Sequence, residues 1–171
     1  VLGLPIAAAA VFFTYQQIDD HQADPKPPPP TTSASEDTSK WAKSVGDLCQ
    51  SMRPRYVNTA IRMTNLSNAM GTPPSREQVL MLAQLEDESS ANTLDLSSGI
   101  ARIKTPVSIA RKVQTAVSQL DESSSRQHQI AEDLRNGSSV SGDRVDAASD
   151  PEVKALRSLG VMGAGPCSDL V

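Results

Sequence analysis

The chain has 171 residues, enough for one ordinary domain and an appendage, and holds only two Phe, two Tyr and one Trp. A core must therefore come from Leu, Val, Ile, Met and Ala, which argues against an aromatic-rich β-sandwich and favours packed helices. The net charge of −4 falls within residues 1–38, where five acids face one base; the other 15 acids and 15 bases cancel, leaving no electrostatic footprint for nucleic acid or anionic lipid.

Residues 1–15, VLGLPIAAAAVFFTY, carry no charged side chain. Fifteen residues are too few to cross a bilayer, which takes about 20, so they read as the outer part of a longer apolar helix. A cleaved signal peptide would use the AAAA run, but would leave Val11, Phe12 and Phe13 at a mature terminus. An uncleaved signal anchor over residues 1–16 fits better, with Phe12, Phe13 and Tyr15 at the membrane interface. The flank after it is acidic (Asp19, Asp20, Asp24), which suits the non-cytoplasmic side. Residues 17–38 then read as a linker: PKPPPP favours extended polyproline II, and the Thr/Ser tract after it is polar and unstructured. Extended, that spacer would hold a domain up to ~50 Å from the bilayer.

Residues 39–171 carry helical patterning. The first seam is Trp41, Val45, Leu48, Met52, Tyr56, Ala60, Met63, Ser67 and Met70, close to the 3.6-residue period, with Pro54 as a kink or break. Ser75 and Gln78 form a capping-box pattern opening a second helix, whose seam is Val79, Leu82, Leu85, Ser89, Thr93, Leu96, Ile100 and Ile103. Thr105-Pro106 opens a third, with Ala110, Val113, Val117, Leu120, Ser124, Gln127, Ala131 and Leu134 on its seam and Asn136-Gly137 as its cap. Asp150-Pro151 reads as the start of a short fourth helix ending at Gly160, followed by an extended Gly-rich tail. Long helices joined by short turns imply antiparallel neighbours: an all-α, up-down bundle of three to four helices on its anchor and Pro-rich linker. The basic first helix should face the Glu86-Asp87-Glu88 run of the second, with Arg53 and Arg55 opposite residues 89–91.

Cys49 lies about ten residues into the first helix and Cys167 near the carboxyl end. A fourth helix descending ~14 Å and an extended tail adding ~20 Å bring the two together, so a Cys49–Cys167 disulfide is expected, against two unpaired buried thiols. Such a bridge implies an oxidising compartment. Catalytic signatures are missing: there is no G-x-S-x-G, no phosphate loop, no dinucleotide fingerprint and no CxxC. His128 and Glu132 share a helix face, which more often means a solvated surface than a metal site. No cofactor, no metal and no catalytic residue are expected. The second and third seams turn polar midway, at Ser89 with Thr93 and Ser124 with Gln127; these four either line a ligand or partner groove or form a polar layer that fixes register.

Cys49, DPEVKAL at 150–156 and Cys167 together resemble a loose group of actinobacterial, mycobacterial-type envelope proteins, single-pass or secreted. The likeness covers residues 39–171 and implies a helical-bundle fold and no activity; the chain departs from lipidated members in lacking a lipobox Cys. The expectation is a membrane-tethered, non-enzymatic bundle at the plasma membrane, with its bulk outside the cytoplasm. It would serve a protein partner in the envelope as accessory subunit or adaptor. The other reading is a small-molecule-binding or sensing bundle.

Overall fold

A computed structural model describes residues 32–171. The expected anchor, with Phe12, Phe13 and Tyr15, and the linker as far as residue 31 lie outside the described residues. Within them the chain is all-α: α1 (Thr32–Ala69), α2 (Arg76–Arg102), α3 (Ala110–Arg135) and α4 (Gly142–Val161), with 3-10 turns at Val107–Ile109 and Gly165–Leu170. The four helices run up, down, up, down. None is long and apolar enough to cross a membrane.

Several boundaries differ from expectation, each for a local reason. α1 begins at Thr32, so part of the stretch read as linker is helical. No proline lies between Pro30 and Pro54, and the Glu36–Lys40 pair at 2.7 Å supports the opening turns. α4 begins at Gly142, after the N-cap Ser141, and carries Pro151 in its interior. An internal proline frees carbonyls one turn earlier, and two α3 side chains take them: Arg126 Nη1 donates to the Ala147 oxygen (2.8 Å) and Ser123 Oγ to that of Ala148 (2.7 Å). The Gly-rich tail is not extended; it closes as the 3-10 turn over Gly165–Leu170. At the third helix, Pro106 precedes a 3-10 turn, and the α-helix proper starts at Ala110.

Other signals are met as read. Gln78 N donates to Ser75 Oγ (3.2 Å) and Ser75 N to Gln78 Oε1 (2.9 Å), closing the capping box. Gln78 Nε2 also donates to the last α1 carbonyl, at Ala69, and so fastens the hairpin. Gly137, at φ +80°, ends α3 in the left-handed region that glycine enters without strain. At that end the Leu134 and Arg135 carbonyls accept from the guanidinium of Arg76, and Leu134 also accepts from the Gly137 N–H.

The interior is two apolar clusters with a polar waist between them. The first joins Trp41, Val45, Cys49 and Met52 of α1 to Leu96, Ile100, Leu120, Leu156 and Leu159 of the other three helices. The second, around Ala83, Ile130, Ala131, Leu134 and Ala148, draws on α2, α3 and α4 without α1. The α1 seam responds to that change of neighbours. Beyond Tyr56 it follows Thr59, Met63, Leu66 and Met70, while Ala60 and Ser67, expected inside, are exposed. Alternating steps of three and four are the spacing of a helix meeting a single partner. That partner is α2, where Arg55 pairs with Asp95 at 2.7 Å and Arg62 with Glu88. The pairing falls further along α2 than the sequence reading placed it. Gly71, Pro73 and Pro74 make the link from Met70 to Ser75 an open loop instead of a tight turn.

Cys49 and Cys167 form a disulfide, with Cα atoms 5.0 Å apart across 118 residues of sequence. It fastens the terminal 3-10 turn onto α1, and both sulfurs are fully buried. The α1–α2 contact is close at Gly99, where an added Cβ would stand 2.7 Å from Leu48 Cδ2. Gly99→Val should therefore cost ~2 kcal/mol by overpacking. In the Leu48→Ala background it should cost at least ~1 kcal/mol less, because the obstructing side chain is gone. Urea denaturation of both single variants and the double variant checks this; strictly additive losses would refute the contact. Replacing both cysteines by Ser should lower stability by about 2–4 kcal/mol, read in the same way, since the bridge closes a long loop.

Candidate functional site

The waist is built around Glu152 of α4, a carboxyl only 7 % exposed. Thr93 of α2 donates its hydroxyl to Oε1 (2.9 Å) and Gln127 of α3 donates Nε2 to Oε2 (3.3 Å). Tyr56 of α1 turns its hydroxyl toward the same carboxyl without closing a bond of normal geometry, and Gln127 Oε1 is likewise buried without a donor. One side chain thus meets a residue from each of the other three helices. Burial in this setting pushes the Glu152 carboxyl up, and the polar groups of Thr93, Tyr56 and Gln127 around it only partly offset that. Tyr56 is driven up as well, first by burial and then by the neighbouring carboxyl.

Of the four residues expected at a ligand or partner groove, Thr93 and Gln127 therefore meet, on Glu152. Ser124 goes elsewhere: its Oγ donates to the Ser90 carbonyl (3.0 Å) while Ser90 Oγ donates to the Ser124 carbonyl (2.9 Å). This reciprocal pair draws α2 and α3 close together. Ser89 is half-buried, and its carbonyl, 3.1 Å from Thr93 Oγ1, competes with Glu152 for the single Thr93 hydroxyl proton. Asn92 reaches across to Thr59 of α1 (3.2 Å), completing the layer.

Glu86, Asp87 and Glu88 divide between three surroundings because successive helical residues point about 100° apart. Glu88 pairs with Arg62 of α1, and Asp87 with Arg135 and His128 of α3. Burial is the largest single influence on Asp87 and pushes it up, but the hydrogen bonds from Arg135 and His128 and their charges together outweigh it and hold the carboxyl below its usual range. Glu86 points inward, 5 % exposed, and burial, helped by the charge of Asp87, pushes it up to about 7.

Two surface grooves exist away from the waist. One of about 290 Å³ lies among Lys40, Trp41, Ser44, Ile103, Lys104 and Pro106; the Trp41 indole N–H is sealed in the interior and does not open into it. The other, about 240 Å³, lies between α3 and α4, where Arg126 and Arg144 are already committed to Glu122 and Asp133. Neither is lined by Ser89, Thr93, Ser124 or Gln127. His128 lies between Asp87 and Glu132 on the surface, and among the described residues no group of three or more His, Cys, Asp or Glu could hold a metal ion.

The chain matches no family model, no curated protein and no solved structure.

Glu152 and Glu86 are the two residues the sequence reading missed. Glu152 stands beside a proline that looked like a helix start, which hid it in the first turn; Glu86 stood in an acidic run that looked wholly solvated. The available signal was spacing, since Glu86 and Thr93 lie seven residues apart on one face of α2.

A buried acid with a raised pKa takes up a proton on folding, so its burial is harmless below the unfolded value near 4.5 and costs stability as pH rises toward and past 7. Glu86→Gln should therefore be more stable than the natural chain at pH 8, by about 1–3 kcal/mol, and equal to it within ~0.5 kcal/mol at pH 4. Thermal unfolding at the two pH values checks this; a variant weaker at both would mean that the Glu86 carboxylate makes a favourable contact.

Proposed function

We propose that the chain is a membrane-tethered, extracytoplasmic helical bundle of the cell envelope that works without catalysis, as an accessory subunit or adaptor of a protein complex. The observation that carries this is the outer half of α1. Past Tyr56 it packs on α2 alone, outside the second apolar cluster, and presents Val57 and Ile61 at 45 % and 53 % exposure one turn apart. Leu94 of α2, 49 % exposed, adds to the apolar surface of the same hairpin. An amphipathic helix that keeps large apolar side chains on its free side suits protein contact.

Other features support the placement. The buried disulfide suits an oxidising compartment. The apolar opening stretch and the proline run ahead of α1 suit an anchor and spacer. The similarity of Cys49, DPEVKAL and Cys167 to actinobacterial envelope bundles agrees with that setting. The small-molecule reading draws less support, because the polar residues at mid-height bond one another.

Co-purification of the full chain from detergent-solubilised membranes, through a carboxyl-terminal tag, tests the proposal. A stoichiometric membrane-protein partner is expected. Val57→Asp with Ile61→Asp should lower its recovery at least about tenfold with the melting temperature unchanged, as exposed sites tolerate polar residues. Recovery of the bait alone, as a monomer, would overturn the accessory role.

A further inference from the structure

Glu152 differs from most buried acids in the company it keeps. Its two hydrogen-bond donors, Thr93 and Gln127, are neutral, and no Lys, Arg or His hydrogen-bonds it. Several charged groups of the surrounding elements are engaged elsewhere. On α1, Arg55 beside Tyr56 is held by Asp95; on α2, Glu86 lies two turns away. On α3, Arg126 is turned to Glu122 and the Ala147 carbonyl, and His128 to Asp87; on α4, Lys154 is turned to Asp150. Gln127 Oε1 is buried with no donor, and the single hydroxyl proton of Thr93 stands within reach of both Glu152 Oε1 (2.9 Å) and the Ser89 carbonyl (3.1 Å). A carboxylate adds a further acceptor-only group, for which only the unpartnered Tyr56 hydroxyl is left as a donor. A neutral carboxylic acid brings its own proton, which Thr93 Oγ1 can accept while it donates to Ser89. Since a buried unpaired charge is among the costliest things a core can hold, the neutral form is the one this site accommodates.

We infer that Glu152 is a proton-controlled lock on α4: the neutral acid closes the waist across all four helices, and loss of its proton loosens α4 from α1 and α2. The loosening is local. The turn that follows α4 is tied to α1 by Cys49–Cys167, so the chain end stays in place while the waist opens. The polar bonds Ser123–Ala148 and Arg126–Ala147 continue to hold α4 to α3. The segment that yields is then the α4 face turned toward Tyr56 and Thr93.

The test uses the full chain in the Glu86→Gln background, which removes the other raised carboxyl. Its melting temperature should fall by at least ~3 °C between pH 5.5 and pH 8, and Glu152→Gln should abolish that fall. Hydrogen exchange, corrected for its intrinsic pH dependence, should show protection lost across residues 142–161 over the same interval in the background protein and retained with Glu152→Gln. An undiminished fall in Glu152→Gln, or α4 protection that does not change with pH, overturns the proposal. Should Glu152→Gln not fold, the infrared spectrum of the background protein decides the matter: a neutral-carboxyl C=O band that persists above the usual carboxylate range and is lost as pH rises further is expected, and its absence defeats the lock.

Discussion

One carboxyl, buried where four helices meet, constrains the whole bundle. Apolar contacts alone leave antiparallel helices free to slide by a turn, because Leu, Val and Ala side chains fit many registers about equally well. Glu152 removes that freedom. Thr93 and Gln127 reach it only if α2, α3 and α4 stand at one relative height, and the Ser90–Ser124 exchange fixes the same height between α2 and α3 independently. A slip by one turn would bury the carboxyl against hydrocarbon without its donors, which costs several kcal/mol, while it would barely change the apolar area covered. The polar waist thus selects among packings that the two apolar clusters would otherwise allow.

Position along α4 also explains why a proline is tolerated one residue before the key carboxyl. Pro151 breaks the α4 ladder where α3 supplies replacements, and the groups that do so, Ser123 and Arg126, lie within a turn of Gln127. Freed backbone acceptors and the buried side chain are therefore served by one short segment of α3. The arrangement binds α3 to α4 through hydrogen bonds to main chain, which depend less on side-chain fit than the apolar layers do.

How far the sequence disclosed this depends on which signals were local. The capping box at Ser75 and Gln78, the Asn136-Gly137 stop and the seams of α2 and α3 are each written within a few residues and were readable. The disulfide was readable because it needed only approximate lengths. The start of α4 was not: Asp-Pro is a strong start signal, and nothing nearby in sequence announces that side chains some 25 residues earlier will satisfy the carbonyls Pro151 frees. The lower α1 seam failed for a related reason. A 3.6-residue period assumes neighbours on a broad arc, and α1 loses all but α2 beyond Tyr56, a fact of tertiary packing. The polar mid-levels were visible at Ser89, Thr93, Ser124 and Gln127, but the acid they surround was not, because its own stretch read as a helix entrance.

Two halves of α1 thereby acquire different physical characters, and this bears on what the domain can do. The first half, from Trp41 to Tyr56, is held by the apolar cluster, the disulfide and the waist. The second half has no disulfide and no third helix; the narrow Thr59, Met63, Leu66 and Met70 seam holds it to α2, with ion pairs such as Arg62–Glu88 and the Asn92–Thr59 bond adding about 1 kcal/mol or less each. A rigid base carrying a weakly held amphipathic hairpin can adjust its apolar edge to a partner without disturbing the core. The division falls at Tyr56, the α1 residue that faces Glu152, so whatever alters the waist acts on the joint between the fixed half and the adaptable one.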